Sequence, residues 1–297
     1  MCPEKTPLDF YSRLVLEFSQ FVFKIDVIQK ESNMTDRKNL IVIRKESLCT
    51  VIINNPGKRN ALTPECFFDI ARTFDDLSHD QSIKVVILRG AGQEAFSAGS
   101  DISAMPTRED PADLTENQGD YSRAMEAIQR FPFPTIAMLY GYTLGAGCIL
   151  AMGCDIRLAS QNVRIGVPTS RMGLLTDHSV FKRFLTVLGY STALEIFLTG
   201  QQYEGQECLA MGLVNHLVDH DQLEQYTHRL ADEIIQCAPL SLRGSKYILG
   251  KIAENPIPSS EELKAFDALS MQATASDDHE EAKRAFKEKR KPRFTGH

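Results

Sequence analysis

The sequence predicts an α/β fold, and three observations support this assignment. Strand-like and helix-like segments alternate with short connections from Asn39 onward. Two of the strand-like segments, KVVILRGAG at 84–92 and PTIAMLYGY at 134–142, are apolar on both faces, which is typical of buried parallel strands. After Ser179 the apolar residues follow a helical spacing almost throughout. We therefore expect a sheet core followed by a helical C-terminal portion.

The elements before the second buried strand can be assigned in order. The segment at 39–55 predicts a strand, a turn and a second strand. A helix should follow, with Thr63 as its N-cap and Pro64 at its first position. Beyond the next strand, the polar and proline-bearing segment 103–120 predicts a loop, and 121–130 predicts a helix.

The elements of the second half are equally regular. The small-residue segment GAGCILAMGCD at 145–155 predicts a short helix, and 155–160 and 163–168 predict strands. The remaining segments predict helices whose ends coincide with glycines, because glycine readily adopts the left-handed conformation that ends a helix. These glycines are Gly189, Gly200 and Gly212.

Composition restricts the classes of function. The chain has 297 residues, of which 43% are hydrophobic and 24% charged, as in ordinary globular proteins. A net charge of -6 provides no basic field for a nucleic acid, and no apolar run approaches the roughly 18 residues that span a bilayer. The seven cysteines form no CxxC pair and no Cys/His cluster with metal spacing. We expect reduced thiols, no metal site and a cytoplasmic location.

Two glycine-containing turns follow predicted strands and suggest a binding site. They are EAFSAGSDI at 94–102 and YGYTLGAGCILAMGCD at 140–155. Small residues allow a ligand to reach backbone N–H groups, and the second turn opens a helix whose free N–H groups favour negative charge. Two such donors can converge on one oxygen as an oxyanion hole. Tight packing of strand against helix would explain the same glycines.

Several stretches together resemble the enoyl-CoA hydratase/isomerase (crotonase) superfamily. They occur in the family's order between about Asn39 and Phe294: NPGKRNAL, AFSAGSDI, PTIAMLYGYTLGAGCILAMGCDIRLAS, LTGQQYEGQECLAMGLVNHLV and FKEKRKPRF. The resemblance implies a β-β-α superhelical core with a helical C-terminal trimerisation region. It also implies an acyl-CoA substrate, whose CoA is part of the substrate rather than a separate cofactor. The thioester oxygen would be held by the backbone N–H groups of Ser100 and Ala146.

The resemblance further implies where CoA and neighbouring subunits bind, and it implies a homotrimer or a dimer of trimers. The expected CoA contacts on the same subunit are Lys58, Arg59, Ala98, Ser100, Asp101 and Ile102. Phe286 and Lys289 would contact CoA from a neighbouring subunit, with Lys289 near a phosphate.

The corresponding division of the chain is an N-terminal extension at 1–33, a core at 34–235 and a helical region at 236–297. Met34 is an alternative start, so whether 1–33 belongs to the natural protein is left open.

The sequence departs from the best-known hydratases of this family at two positions. These enzymes carry two glutamates, and the matching residues here are Ile149 and Thr169. Neither side chain exchanges a proton near neutral pH. The usual two-glutamate hydration of a simple enoyl-CoA is therefore not expected.

Asp177, in the segment GLLTD, matches a functional aspartate of two branches of the family. In the dienoyl-CoA isomerase branch this aspartate transfers a proton, and in the 4-chlorobenzoyl-CoA dehalogenase branch it attacks carbon. Asp177 is also well placed to cap the following helix, so its role can be chemical, structural or both. The adjacent His178 can assist proton transfer, since imidazole titrates near neutrality, or it can be a surface residue.

These observations favour an acyl-CoA enzyme of fatty acid metabolism that stabilises a thioester enolate. An isomerase or an atypical hydratase, which is a lyase, with Asp177 as the proton-transfer group is the first hypothesis. A hydrolase or dehalogenase with Asp177 as nucleophile is an alternative, although no histidine follows Ser100 through Arg130 to serve as the dehalogenase base. The loss of both glutamates also suggests a degenerate protein that binds acyl-CoA without turning it over.

Overall fold

The computed structural model of the protein describes residues 34–37, 39–104 and 120–297. The expected N-terminal extension and most of the predicted 103–120 loop lie outside the described residues. The strands are β1 (Met34–Arg37), β2 (Leu40–Lys45), β3 (Leu48–Ile53), β4 (Val85–Gly90), β5 (Ala95–Ser97), β6 (Thr135–Leu139), β7 (Tyr142–Leu144), β8 (Ile156–Ser160), β9 (Arg164–Gly166), β10 (Tyr203–Glu204) and β11 (His216–Val218). The α-helices are α1 (Pro64–Ser78), α2 (Asp120–Arg130), α3 (Ala146–Gly153), α4 (His178–Leu188), α5 (Tyr190–Thr199), α6 (Gly205–Ala210), α7 (Leu223–Ile235), α8 (Pro239–Glu254), α9 (Ser260–Thr274) and α10 (Asp277–Glu288).

The strands of the described chain form two sheets. A seven-stranded sheet has the order β1-β2-β3-β4-β6-β8-β11, and a four-stranded sheet has the order β10-β9-β7-β5. Pairing is parallel from β3 through β4, β6 and β8 to β11, and also among β5, β7 and β9. The pairs β4–β5, β6–β7 and β8–β9 each place one strand in the large sheet and the next in the small sheet. Repetition of this unit with an intervening helix is the β-β-α superhelix, so the predicted fold class is confirmed.

The core occupies both faces of the large sheet. Along β4, Val86 and Leu88 pack into the main cluster with helices α1 to α3, whereas Val85 and Ile87 belong to a second cluster beneath α7. Alternate residues of a strand point to opposite faces, so a strand covered on both sides must be apolar throughout. This explains why the apolar run at 85–88, within the segment 84–92, predicted a buried strand correctly.

Local sequence features define the ends of several helices. The Thr63 side chain accepts a hydrogen bond from the Cys66 N–H at 3.4 Å, and Pro64 begins α1. Gly189 and Gly200 are the C-caps of α4 and α5, and Gly212 follows α6 with a φ of +75°. These helix ends confirm the sequence predictions.

The prediction of an almost wholly helical second half was incomplete. Strands β10 and β11 are also present, and β11 adds to the parallel sheet beside β8. They escaped prediction because each is only two or three residues long, too short for a periodic pattern. Helices α8 to α10 occupy most of the 236–297 region, while the proposed domain boundaries stay a prediction.

Candidate active site

The first glycine-containing turn places the Ser100 N–H on the side of the chain away from Leu62. The Leu62 N–H donates to the Gly99 carbonyl oxygen at 2.9 Å, and the Asp101 N–H donates to the Leu62 carbonyl oxygen at 2.7 Å. Because this parallel bridge uses the residues on either side of Ser100, the N–H of Ser100 itself points elsewhere. It donates to no acceptor among the described residues.

The second glycine-containing turn leads into α3. Gly145 has φ +52° and ψ -121°, a conformation for which glycine is suited, and its N–H donates to the Gly166 carbonyl oxygen at 2.8 Å. Ala146 is the first residue of the helix, so its N–H has no partner within α3. No acceptor elsewhere in the described chain takes this N–H. The helix dipole adds partial positive charge at the same end.

The two turns meet at Gly99. A Cβ atom on Gly99 would lie 2.8 Å from the Leu144 carbonyl oxygen and 3.5 Å from the Ala146 nitrogen, and its φ is +99°. Gly147 is just as confined, because a Cβ there would lie 2.7 Å from the Ser97 carbonyl oxygen. The glycines therefore allow the close packing that brings the Ser100 segment beside the start of α3. The same contact packs the two segments together and brings their backbone N–H groups close to each other.

Two free backbone donors on adjacent segments can polarise a carbonyl oxygen. Such donors are fixed by the fold, so they need no reorganisation when negative charge develops on the oxygen. The tertiary structure thus gives the predicted pair, Ser100 and Ala146, a suitable setting. Their role as oxyanion donors stays a prediction.

Asp177 caps helix α4, as its position in the sequence suggested. Its Oδ1 atom accepts hydrogen bonds from the Ser179 N–H at 3.1 Å, the Val180 N–H at 3.3 Å and the Ser179 hydroxyl at 2.7 Å. Its Oδ2 atom is shielded from solvent and has no hydrogen bond of normal geometry among the described residues. One carboxylate oxygen therefore holds the helix, while the other is not used by the cap.

The surroundings of Asp177 keep it ionised. Burial by itself would raise the pKa of the carboxyl, but interactions with the Ser122 hydroxyl and with the hydroxyl and N–H groups at the start of α4 outweigh burial and lower the pKa below its ordinary value. Tyr121 lies close enough that burial and the Asp177 charge together raise the pKa of its phenol. No local sequence pattern connects Ser122 and Tyr121 with Asp177, because more than fifty positions separate them.

His178 faces a different part of the molecule. Together with Lys182, Arg183, Glu126 and Lys246 it borders a cleft of about 720 Å³ between helices α2, α4 and α8. Successive residues at a helix start point in different directions, which separates this side chain from the capping carboxylate of Asp177. Among the described residues, no hydrogen bond joins the His178 side chain to the Ser100 or Ala146 segments. Its predicted catalytic role stays untested.

The expected CoA contacts before α1 form a charged surface. Lys58 Nζ lies 2.8 Å from Asp101 Oδ2, and this bond, with help from Ser103, lowers the pKa of Asp101 to about 2. Arg59 pairs with Glu94 and lies over the Tyr142 ring, 4.8 Å from its centroid.

Two other expected CoA contacts lie in the same region. The Ala98 N–H donates to the Arg59 carbonyl oxygen at 2.9 Å, which places the two predicted contact segments side by side. Ile102 is 68% exposed. An exposed aliphatic side chain next to the Lys58–Asp101 pair is compatible with ligand contact.

The C-terminal candidates are also accessible. Phe286 is 86% exposed near the end of α10, and Lys289 is the C-cap of that helix with a φ of +54°. The following tail folds back onto the same subunit, where Asp278 accepts from the Thr295 N–H at 2.7 Å and the Gly296 N–H at 2.9 Å. These bonds hold the C-terminal tail against the start of α10.

Comparison with known proteins identifies the family. The family model described as enoyl-CoA hydratase/isomerase matches residues 43–297. This chain belongs to the enoyl-CoA hydratase/isomerase family. Within that family, it is 30% identical over 259 residues to the short-chain-enoyl-CoA hydratase of Clostridium acetobutylicum, a match that covers 85% of this chain and 96% of the relative. It is also 30% identical to the mitochondrial enoyl-CoA hydratase domain-containing protein 2 of Homo sapiens, over 84% of this chain and 86% of the relative.

A solved structure of the enoyl-CoA hydratase/isomerase family supports the same assignment. The enoyl-CoA hydratase/carnithine racemase of Magnetospirillum magneticum superposes with a TM-score of 0.83 and 32% identity. The superposition covers 89% of this chain and 97% of that structure. The likeness therefore extends across the core and the C-terminal helices.

The two positions that lack glutamate differ in environment in this enoyl-CoA hydratase/isomerase family member. Ile149 lies one turn into α3, its side chain is 3% exposed, and it packs in the main core. Thr169 is half-buried and precedes the short 3-10 helix Ser170–Met172. The side chain at 149 is therefore part of the apolar core, whereas the side chain at 169 is partly accessible to solvent.

The described residues contain no group of three or more His, Cys, Asp or Glu side chains arranged to hold a metal ion. None of the helices in these residues has both the length and the apolar character required to cross a membrane.

Proposed function

We propose that this protein acts on an acyl-CoA thioester, whose carbonyl oxygen is polarised by the N–H groups of Ser100 and Ala146. The observation that supports the proposal is the close approach of Gly99 to Ala146, which lies beside two backbone N–H groups that have no acceptor among the described residues. Negative charge develops on the thioester oxygen when a proton leaves the α-carbon. Donors aimed at that oxygen stabilise the enolate more than the ground state, which lowers the barrier.

Asp177 is the proposed proton carrier of an enoyl- or dienoyl-CoA isomerase. Its ionised carboxylate would accept a proton from carbon, the electron pair would move to the thioester oxygen, and the proton would return at a different carbon. The double bond moves and the composition of the substrate does not change. The lowered pKa of Asp177 keeps its carboxylate in the ionised form that an initial acceptor needs, and it also makes this carboxylate a weaker base.

An atypical hydratase remains the second form of the same proposal. The relatives reported above are named as hydratases, which favours the addition of water. The absence of glutamate at Ile149 and Thr169 favours isomerisation, because water activation then lacks its usual acid and base. Both reactions share the enolate and differ in whether oxygen is added.

A non-catalytic acyl-CoA binding protein is favoured by one specific observation. Oδ1 of Asp177 already accepts three hydrogen bonds in the cap, which is a complete structural role. A hydrolase or dehalogenase would instead require attack by Asp177 on carbon.

The test is incubation of the protein with a panel of enoyl-, dienoyl- and aryl-CoA thioesters in heavy water. The products that form distinguish these functions. Isomerisation incorporates deuterium, hydration adds the mass of water, hydrolysis releases CoA, dehalogenation of a haloaryl-CoA releases halide, and a binding protein leaves the thioester unchanged. Mass spectrometry with halide analysis reports all five outcomes.

The oxyanion donor is tested with a matched pair of variants. Ala146→Pro removes the N–H at the first helical position, where proline is best tolerated, and should lower turnover about a hundredfold or more. Ala146→Gly keeps the N–H and should retain near-normal turnover. A folded Ala146→Pro protein with unchanged turnover would contradict the proposed site.

We also propose that the protein self-associates as a trimer or a dimer of trimers, without a separate cofactor. Apolar side chains on α4 and α5 are solvent-exposed in the single chain, and burial of such a group is favourable. They are Leu185, Tyr190, Leu194 and Leu198.

A cytoplasmic location is part of the proposal because the six described cysteines are all free thiols.

A further inference from the structure

Arg183 connects the two helices that carry the proposed chemistry. It lies on α4, but its guanidinium group binds the end of α3: Nε donates to the Met152 carbonyl oxygen at 2.5 Å and Nη2 donates to the Cys154 carbonyl oxygen at 3.0 Å. Carbonyl groups at the end of a helix have no partner within the helix, so they need an external donor. Arg183 supplies two donors from one rigid group.

Each of these helices begins at a proposed functional residue. Helix α3 starts at Ala146, six positions before Met152, and α4 is capped by Asp177, six positions before Arg183. Six helical residues span about 9 Å along the axis. The Arg183 contact therefore joins the two helices at a point about 9 Å along each helix from its functional end.

Several charged groups surround this contact: Arg157 and Arg183 repel each other, and Asp155 attracts both. Arg157 also donates to the Cys154 carbonyl oxygen, through Nη1 at 3.1 Å, and Lys246 is paired with Asp155 at 2.7 Å. Two guanidinium groups thus meet the end of α3, where the helix dipole favours cations. Partial burial lowers the pKa of Arg183 from its ordinary value, and the nearby charge of Asp155 opposes this effect.

We propose that Arg183 is a positioning residue, which holds Asp177 at a fixed place relative to the Ala146 N–H; this inference rests on the proposed function. Rotation of α4 by about 6° around the tether would displace a group about 9 Å away by about 1 Å, and a misplacement of about 1 Å can cost about a hundredfold in rate. A planar guanidinium fork resists such rotation better than the single ammonium of lysine. Arg183 touches no reacting atom in this arrangement.

The first test compares Arg183→Met, Arg183→Lys and the control Lys182→Met. Lys182 is exposed on the same helix and borders the same cleft, but has no hydrogen bond to α3 among the described residues. We expect Arg183→Met to lower kcat by about tenfold or more with KM within about twofold of wild type, because positioning for the chemical step is lost and thioester binding is not. Arg183→Lys should be intermediate, and Lys182→Met should match wild type.

Rescue by a small cation supplies a second readout. Arg183 borders the 720 Å³ cleft, so guanidinium ion added at millimolar concentration can reach the space left in Arg183→Ala. It should raise kcat of this variant, whereas tetramethylammonium, which has no N–H donor, should not. A residue needed only for stability would change the melting temperature without this rescue of kcat.

The outcomes distinguish the two proposals. If the wild-type enzyme is active and the folded Arg183→Met variant has the same kcat, the positioning role alone is overturned. Wild-type protein that turns over no thioester would overturn the proposed function and this inference with it. If Arg183→Met and Arg183→Ala do not fold, Arg183→Lys decides: a lower kcat at constant KM supports positioning, and an unchanged kcat contradicts it.

Discussion

The Ala146 nitrogen lies against the backbone of Gly99, 3.5 Å from the position that a Cβ atom on Gly99 would occupy. The same Cβ would stand 2.8 Å from the Leu144 carbonyl oxygen, and the φ of +99° is unfavourable for an alanine. We expect Gly99→Ala to separate the two turns, to lower the free energy of unfolding by about 1–3 kcal/mol and to lower turnover by at least about tenfold. Denaturant unfolding and steady-state kinetics measure both effects.

Gly57→Ala is the matched control for Gly99→Ala. Nothing lies within 4 Å of a Cβ atom at Gly57, so its stability should change by less than about 0.5 kcal/mol. Equal effects of the two substitutions would argue against the close contact as the cause.

Asp177→Asn separates the chemical role of Asp177 from its role as a helix cap. Asparagine caps nearly as well as aspartate, so the free energy of unfolding should fall by less than about 1 kcal/mol. Loss of the carboxylate should lower kcat by about a hundredfold or more with nearly unchanged thioester binding. The measurements are denaturant unfolding, kinetics and calorimetric binding of a non-reactive acyl-CoA.

His178→Gln is the neighbouring control for Asp177→Asn. Its side chain borders the cleft between α2, α4 and α8, so we expect a smaller effect on kcat than that of Asp177→Asn. Normal turnover by Asp177→Asn would leave Asp177 as a cap only and would exclude it as the proton carrier.

The pKa of Asp101 should depend on Lys58. In the folded protein this pKa is about 2, below its ordinary value of 3.8, chiefly because Lys58 donates to the carboxylate. The stabilisation from this charge is fully present above the ordinary value and is lost as the pH falls through the folded value. Lys58→Ala should raise the Asp101 pKa, which NMR titration of the side-chain carboxyl carbon would detect.

Arg59→Ala provides the comparison for Lys58→Ala. Arg59 pairs with Glu94 rather than with Asp101, so its removal should leave the Asp101 titration nearly unchanged. A larger shift in Arg59→Ala than in Lys58→Ala would contradict the observed pairing.

Lys289→Ala tests the proposed contact of the C-terminal segment with CoA on a neighbouring subunit. Loss of a phosphate contact should weaken thioester affinity, more strongly at low salt than at high salt, and leave kcat nearly unchanged. Titration calorimetry at several salt concentrations measures this effect. Lys291→Ala is the control, because Lys291 Nζ already bonds to the Gln236 side chain at 3.2 Å.

Sedimentation tests the oligomer that this arrangement requires. We expect a trimer or a dimer of trimers. A monomer that binds the thioester with full affinity would exclude a site completed by a neighbouring subunit.

Much of the fold could be predicted because its determinants are local. The apolar run at 84–92 specified a strand buried on both faces, and Thr63 with Pro64 specified the start of α1. Strand β11 could not be recognised in this way. Three residues contain no measurable periodicity, and pairing with β8 is what makes them a strand.

The sequence by itself determined the enoyl-CoA hydratase/isomerase family, the glycine-containing turns and the capping position of Asp177, because these depend on residue type and short spacing. Only the tertiary structure decided that Gly99 meets Ala146, that Ser122 lies beside Asp177 and that Arg183 binds the end of α3. Each of these relationships joins residues separated by 29 positions or more. Chain folding and side-chain packing set such distances, and no local pattern in the sequence records them.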